Sequence, residues 1–288
     1  MSSIVCSSAV TASTPYLNSA VLQHRSAQDF VLTGSYMGDW NPVYWIANYD
    51  GHGDDTVINV LRHIDHDVMM RSEDPLSEIK NILKGHKGSN GSGSTVSLVK
   101  IFADRVEVGW IGDSEIIVSE DGNIIFKNKK HDMNHTEDVA DILKNNLATL
   151  EVGKKTNTRV IDDKTLELIY SKYMYWHTIN SRFNMTRALG HGGVSDESST
   201  AIIHFKKGHK YTIFTSSDGV GDMLRVDGSD DAFLIAEDTT PMQIAEWAKA
   251  RWEQPWSFKD YDPNYSICYP KGSTDDISCA LFKHTSKV

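Results

Sequence analysis

STVSLVKIFADRVEVGWIGDSEIIVSEDGNIIFK, residues 94–127, is the stretch whose reading decides the fold. STVSLVKIF (94–102) and RVEVGWIG (105–112) are compact β-branched runs that read as strands. The turn signals ADR (103–105), GDS (112–114) and EDGN (120–123) join consecutive strand-like runs as hairpins. Connections this short suit antiparallel strands, because a parallel pair needs a crossover of about a dozen residues or more. Outward from this stretch, VYWIANY (43–49) and KYTIFTSS (210–217) add strands. TVINVLRHIDHDVMM (56–70), PLSEIKNILK (75–84) and PMQIAEWAKARWEQ (241–254) place apolar residues at three-to-four spacing after a threonine or proline, so they read as helices covering a sheet. A meander with helices outside is an α+β chain rather than a doubly wound parallel sheet, and it predicts no nucleotide crevice.

No internal repeat or Pro/Gly/Ser linker divides residues 1–288, which are expected to form one domain. Between about 128 and 180 the pattern is less regular, with charge runs, an Asn-Asn pair and the cluster YSKYMYW. This segment reads as a mobile subdomain laid over the core.

The 288 residues are 40% hydrophobic and 24% charged, ordinary globular values for a chain that can bury a large core. Acidic side chains outnumber basic ones by 39 to 29, a net charge of -10 that disfavours nucleic acid as a partner. No apolar run approaches the roughly 20 residues needed to span a bilayer, so no membrane partner is expected. Cys6, Cys268 and Cys279 are odd in number and have no C-x-x-C spacing, which suggests neither a disulfide framework nor a thiolate zinc site. The first twenty residues lack a basic region and an apolar core of signal-peptide type, so the expected location is cytoplasmic.

The chemically loudest residues are aspartates at strand ends: Asp50 in YDGHGD, Asp113 in IGDSE, Asp218 and Asp222 in SSDGVGD, and Asp275 with Asp276 in GSTDDIS. Any one Asp-Gly alone reads as a turn. Recurrence argues for more, because carboxylates carried on buried strands are costly unless they meet a cation or water. Converging without sulfur or several histidines, they would make a hard, oxygen-only site suited to Mg²⁺ or Mn²⁺. Two such ions sharing a carboxylate can lower the pKa of a bridging water, a chemistry suited to phosphate ester hydrolysis.

The ordered series HRSAQD, YDGHGD, GSGSTVSLV, GWIGDSE, MTRALG, FTSSDGVGDML and GSTDDISCALF resembles the metal-dependent type-2C serine/threonine protein phosphatases over nearly the whole chain. The resemblance implies a four-layer αββα sandwich, two antiparallel sheets packed face to face with helices outside. It implies two Mg²⁺ or Mn²⁺ ions, with Asp50 bridging them, the Gly51 carbonyl on one, and Asp218 and Asp275 completing the protein ligands. Asp29 would orient metal-bound water, and Asp113 and Asp222, with Asp218, match positions that hold a weaker third ion. Arg25, four residues before Asp29, falls where the family binds phosphate. His52 would be the general acid for the departing seryl or threonyl oxygen, with metal-bridged hydroxide attacking in line and no phosphoenzyme. The implied partner is a phosphorylated protein, and the chain is expected to be a monomer.

Gly91, Gly93, Ser94 and Thr95 read as a structural approach to a central strand, and Arg187 as a brace. His63 and His66, and His131 and His135 around Asp132, have metal-like spacings but read as solvated. The sequence departs from the family at Gln28, where many relatives carry glutamate, and at Glu115, commonly arginine. It departs again at His191, Asp276 and the second acid of DGHGD. These departures motivate an alternative, a catalytically weak or inactive binding module on the same fold.

Overall fold

A computed structural model describes residues 15–24, 26–85, 91–153, 159–161, 164–166, 171–225, 232–256, 267–268 and 274–287. Its elements begin with β1 (Tyr16–Leu22), β2 (Phe30–Met37), β3 (Pro42–Tyr49) and β4 (Gly51–Gly53), then α1 (Thr56–Arg62), α2 (His66–Met69) and α3 (Pro75–Gly85). Five strands follow: β5 (Ser92–Ser94), β6 (Val96–Ile101), β7 (Arg105–Ile111), β8 (Glu115–Glu120) and β9 (Asn123–Lys127). After α4 (Thr136–Lys144) come β10 (Ala148–Gly153), β11 (Arg159–Ile161), β12 (Lys164–Leu166), β13 (Ser171–Trp176), β14 (Ser181–Phe183), β15 (Ser199–His204) and β16 (Lys210–Ser216). The chain closes with α5 (Asp218–Leu224), α6 (Ala232–Ile235), α7 (Pro241–Trp252), β17 (Pro255–Trp256), β18 (Ile267–Cys268) and β19 (Ile277–Thr285).

Two five-stranded antiparallel sheets dominate, ordered β1-β19-β16-β8-β9 and β15-β7-β6-β3-β2. Period-two alternation sends successive side chains of each strand into different layers. Ile116 and Val118 join Ile46, Val99, Val108, Ile213 and Phe282 between the sheets. Ile117, one residue out of phase, packs outward with Phe214 and Leu281 against Val220, Leu224, Ile244 and Trp252. On the other side Ala47, Leu98 and Ile111 meet Ile58, Leu61 and Ile79 of α1 and α3. Three apolar seams therefore bind four layers in the order αββα, as expected. Each fully buried Ile, Leu or Phe contributes roughly 1.5–3 kcal/mol.

The turns that decide the fold differ in kind. ADR joins β6 to β7 as a hairpin, and Asp121 (φ 50°) and Gly122 (φ 79°) supply the left-handed pair of a primed turn between β8 and β9. GDS does not make a hairpin: it carries the chain from β7 in one sheet to β8 in the other. Both edges of β7 are already paired, by β6 and β15, so β8 must cross. Gly112 makes the crossing at φ 98°, where a Cβ would lie 2.7 Å from Thr95 Cγ2.

The helix expected over 56–70 is two helices. The Asp65 carboxylate accepts from Val68 N and caps α2 afresh, a local bond that competes with continuation of α1. α7 starts as its sequence suggests, with Pro241 in the first turn and a reciprocal Thr240–Gln243 capping box. Within 128–180, α4 and the small sheet β10-β13-β14 share a separate apolar cluster of Ile142, Ala148, Met174 and Trp176. Among the described residues no helix is long and apolar enough to cross a membrane.

Candidate metal centre

The aspartates meet where β3, the β7–β8 crossing, α5 and the approach to β19 come together at one end of the sheets. Asp50 follows β3, and its Oδ2 accepts from the backbone N–H of Asp218 at 3.3 Å, in the first turn of α5. Gly51 is wedged so tightly that a Cβ would overlap Ile58 Cγ1 and lie 2.8 Å from Gln28 Cβ. Ser94 Oγ and Thr95 N donate to the Asp50 carbonyl at 3.1 and 2.9 Å, so the glycine-rich approach to β6 holds the Asp50 turn in place. Asp275 accepts from Asp276 N at 3.0 Å. Asp222 lies one turn beyond Asp218 on α5.

Asp276 orders the loop before β2. Its carboxylate accepts from His24 N (2.6 Å), Ser26 Oγ (2.6 Å), and Ser26 N and Gln28 N (both 3.2 Å). This brings Asp29 to the cluster, 2% exposed and bonded to Ser217. Arg25, in the same loop, lies outside the described residues. The sequence places Asp276 among the strand-end aspartates but gives no sign that it latches this loop.

Electrostatics divide the cluster into two halves. Burial, and then Asp29, Asp275 and Asp113, push the Asp50 carboxyl well above the usual range. Burial, and then Asp50, Asp275 and Asp113, do the same to Asp218. Asp29 is raised by burial and by Asp218, Asp276 and Asp275, although its bond to Ser217 opposes them. The strongest charges acting on this half are thus carboxylates. Such a set gains from a divalent cation, and its all-oxygen donors fit Mg²⁺ or Mn²⁺. In the other half, burial lifts Asp113 to about 7 and raises Asp222, but for both the strongest countercharge is Lys130.

His52, between Gly51 and Gly53 on β4, lies against His191 (ring centroids 4.6 Å apart) and Phe183 (5.7 Å). Neither of its ring nitrogens has a hydrogen-bond partner of ordinary geometry, although the Asp50 backbone is close enough to favour protonation slightly. Burial and His191 push the ring down to about 3, so it is uncharged at neutral pH. The proton expected of a general acid would therefore have to be favoured by an anionic phosphate beside it.

Of the four histidines read as solvated, His63 is exposed as expected and the other three are not. His66, His131 and His135 are 5%, 0% and 7% exposed. His66 bonds Ile64 O and Tyr49 Oη, while His131 accepts from Gly112 N and contacts Ser199 Oγ. His66 and His131 are core hydrogen-bonding groups, and His135 Nδ1 lies 3.2 Å from Asp138 Oδ1. Arg187 braces the region through a fork on Asp138, with Nε and Nη2 donating at 2.8 and 2.6 Å.

Among the described residues, the trio whose ligand atoms all lie within 4.8 Å of one another is Glu120, Asp121 and His209, at the opposite end of β8. There His209 Nδ1 is 2.8 Å from Glu120 Oε1 and 2.7 Å from Asp121 Oδ2, and Lys206 Nζ is 3.0 Å from Glu120 Oε2. That group is an ion-paired surface cluster.

Residues 22–227 match the family described as Protein phosphatase 2C. The chain belongs to that family. Solved structures agree in fold. A serine-threonine phosphatase 2C from Toxoplasma gondii is 14% identical, with TM-score 0.63 over 98% of this chain and 99% of that one. Serine/threonine phosphatase Stp1 from Staphylococcus aureus is 13% identical, with TM-score 0.53 over 95% and 96%. No curated protein matches the sequence.

Against the protein phosphatase 2C pattern, the departures have local reasons. Gln28 uses its amide N–H groups, donating to Gly53 O (3.0 Å) and Asp55 Oδ1 (2.6 Å), which a glutamate could not do. His191 fills the space over Gly93, where a Cβ would overlap its ring. Glu115 pairs with Lys130 Nζ at 2.9 Å and Lys127 Nζ at 3.4 Å. The carboxylates around Asp50 and Asp218 therefore suit a divalent cation better than those at Asp113 and Asp222, for which Lys130 is the strongest countercharge.

Proposed function

We propose that the chain is a Mg²⁺- or Mn²⁺-dependent phosphatase acting on phosphoserine and phosphothreonine in proteins. The observation that carries this reading is the mutual elevation of Asp29, Asp50 and Asp218 by burial and by one another's charge. A divalent pair here would be held by Asp50, the Gly51 carbonyl, Asp218 and Asp275, and would supply a water acidified to a nucleophile at neutral pH. Asp29 would orient that water, and Arg25 would bind the phosphate. His52, whose two buried ring nitrogens have no hydrogen-bond partner, would hold the proton for the leaving oxygen. The segment near 128–180 would act as a flap toward the phosphoprotein; its sheet reaches the centre through Phe183, beside His52 and His191.

The test is hydrolysis of phosphoserine and phosphothreonine peptides, abolished by EDTA and restored by Mn²⁺. Asp50→Asn and Asp218→Asn are expected to lose activity by several orders of magnitude. Full activity in either variant overturns the assignment. A scaffold reading is favoured instead by a folded protein that binds no Mn²⁺ at millimolar concentration.

A further inference from the structure

The acids at the Asp113 end of the cluster already have a cation, and it is built into the chain. Lys130 is 15% exposed, its Nζ 2.9 Å from Glu115 Oε2, and Glu115 itself is 2% exposed. The same Nζ lies 2.7 Å from the place a Cβ on Gly221 would take, one residue before Asp222. The ammonium therefore sits between the crossing that carries Asp113 and the turn of α5 that carries Asp222. A glycine at 221 leaves the room for it.

The backbone around Lys130 is pinned to that crossing on both sides. Asn128 Nδ2 donates to Ser114 O (2.9 Å), its Oδ1 accepts from Ile116 N (2.7 Å), and its own N–H donates to Ile116 O (3.1 Å). His131 exchanges bonds with Gly112, N to O at 2.9 Å and N to Nδ1 at 3.2 Å. Trp110 Nε1 donates to Lys129 O at 2.9 Å. These bonds bracket Lys130 and fix where its side chain begins.

Charge counting points the same way. The acids that interact here are Asp113, Glu115, Asp132 and Asp222, with Asp218 next to them. They face Lys130, Lys127 on Glu115 (3.4 Å) and Arg225 on Asp222 (3.7 Å). A divalent ion added here would stand beside a largely buried ammonium that already offsets part of the negative charge, and repulsion between the two cations is weakly screened.

We propose that the Lys130 ammonium replaces the third metal ion of this site, so that Asp113 and Asp222 are organised by a tethered cation. The inference builds on the metal-dependent reading above but has its own readout, the change in ion count when Lys130 is altered. Mn²⁺ bound per chain is measured by calorimetry and by electron paramagnetic resonance of free Mn²⁺. The proteins compared are wild type, Lys130→Met, and Lys130→Met with Asp222→Asn. Lys130→Met is expected to bind one more ion than wild type, and the added Asp222→Asn to remove it.

Lys130→Met leaves the buried Glu115 with Lys127 as its countercharge, so Lys130→Met with Glu115→Gln is the companion variant. It removes both charges, and near-ultraviolet circular dichroism checks its fold. Equal counts in wild type and in the folded companion variant overturn the proposal whatever the wild-type number is. A wild-type ion that Asp222→Asn alone removes overturns it as well. Failure of the phosphatase reading shows separately, as wild-type protein that binds no Mn²⁺ and cleaves no phosphopeptide.

Discussion

Gln28 Nε2 reaches both Gly53 O and Asp55 Oδ1, at 3.0 and 2.6 Å, and so ties the loop before β2 to the start of α1 behind the Asp50 turn. The contact needs a donor. Gln28→Glu, the change toward many relatives, sets a carboxylate against Asp55 and the carbonyl. It is expected to destabilise the metal-free protein by about 1–2 kcal/mol at pH 7. Urea denaturation measures this, and equal midpoints for the two proteins would show that the amide contributes nothing.

Asp276 accepts four hydrogen bonds from residues 24–28. Its truncation in Asp276→Ala leaves three backbone N–H groups without their acceptor, all in the loop that carries Arg25. The expected loss is about 3 kcal/mol, since bonds to an ionised acceptor contribute roughly 1.5–3 each and are not additive. Hydrogen exchange at 24–28 should accelerate by two orders of magnitude or more. Unchanged protection in that loop would remove the latch role.

His131 gives a pH signature. Burial, followed by the charges of Arg187, His135 and Lys129, pushes its ring down to about 3, although Asp138 opposes them. The unfolded ring takes up a proton below its ordinary 6.5, and the folded ring stays neutral until about 3. The stability it contributes is therefore present above pH 6.5 and is lost as pH falls toward 3, at up to about 1.4 kcal/mol per pH unit. Comparing wild type with His131→Asn by urea denaturation between pH 7 and 4 isolates the effect. The wild-type curve should fall more steeply, and parallel curves would refute the assignment.

Asp218→Asn should separate stability from metal binding. Removing one charge relieves the repulsion that Asp50, Asp275 and Asp113 exert on Asp218. In EDTA the variant is expected to be more stable than wild type by about 1–3 kcal/mol, a trade of activity for stability. Millimolar Mn²⁺ should raise the wild-type melting temperature and leave that of the variant nearly unchanged. Equal responses to Mn²⁺ would show that Asp218 is not a ligand.

An antiparallel meander covered by helices was legible from the strand-like runs, the short turn signals and the apolar helices led by threonine or proline, because these are local patterns; the four-layer order was implied by the family resemblance. The acids at strand ends were legible because each occupies a turn next to a buried strand. Burial of His66, His131 and His135 was not, since their spacing is the same on a wet face as on a dry one. The break at Asp65 was hidden for a related reason: an aspartate within a helical pattern declares itself a cap only when its carboxylate finds Val68 N.

Residue types alone pointed to a carboxylate-rich site of the kind that suits a hard cation, since the identity of Asp50, Asp218 and Asp275 does not depend on how they are arranged. Tertiary structure decided how those charges are shared. GDS reads locally as one more hairpin, yet the paired edges of β7 force it across to the other sheet and bring Asp113 beside α5. Lys130 is 17 residues from Asp113 and 92 from Asp222 in the chain. Only the return of the segment after β9 along that crossing sets its ammonium among them, and electrostatic interaction depends on distance in space rather than separation in sequence.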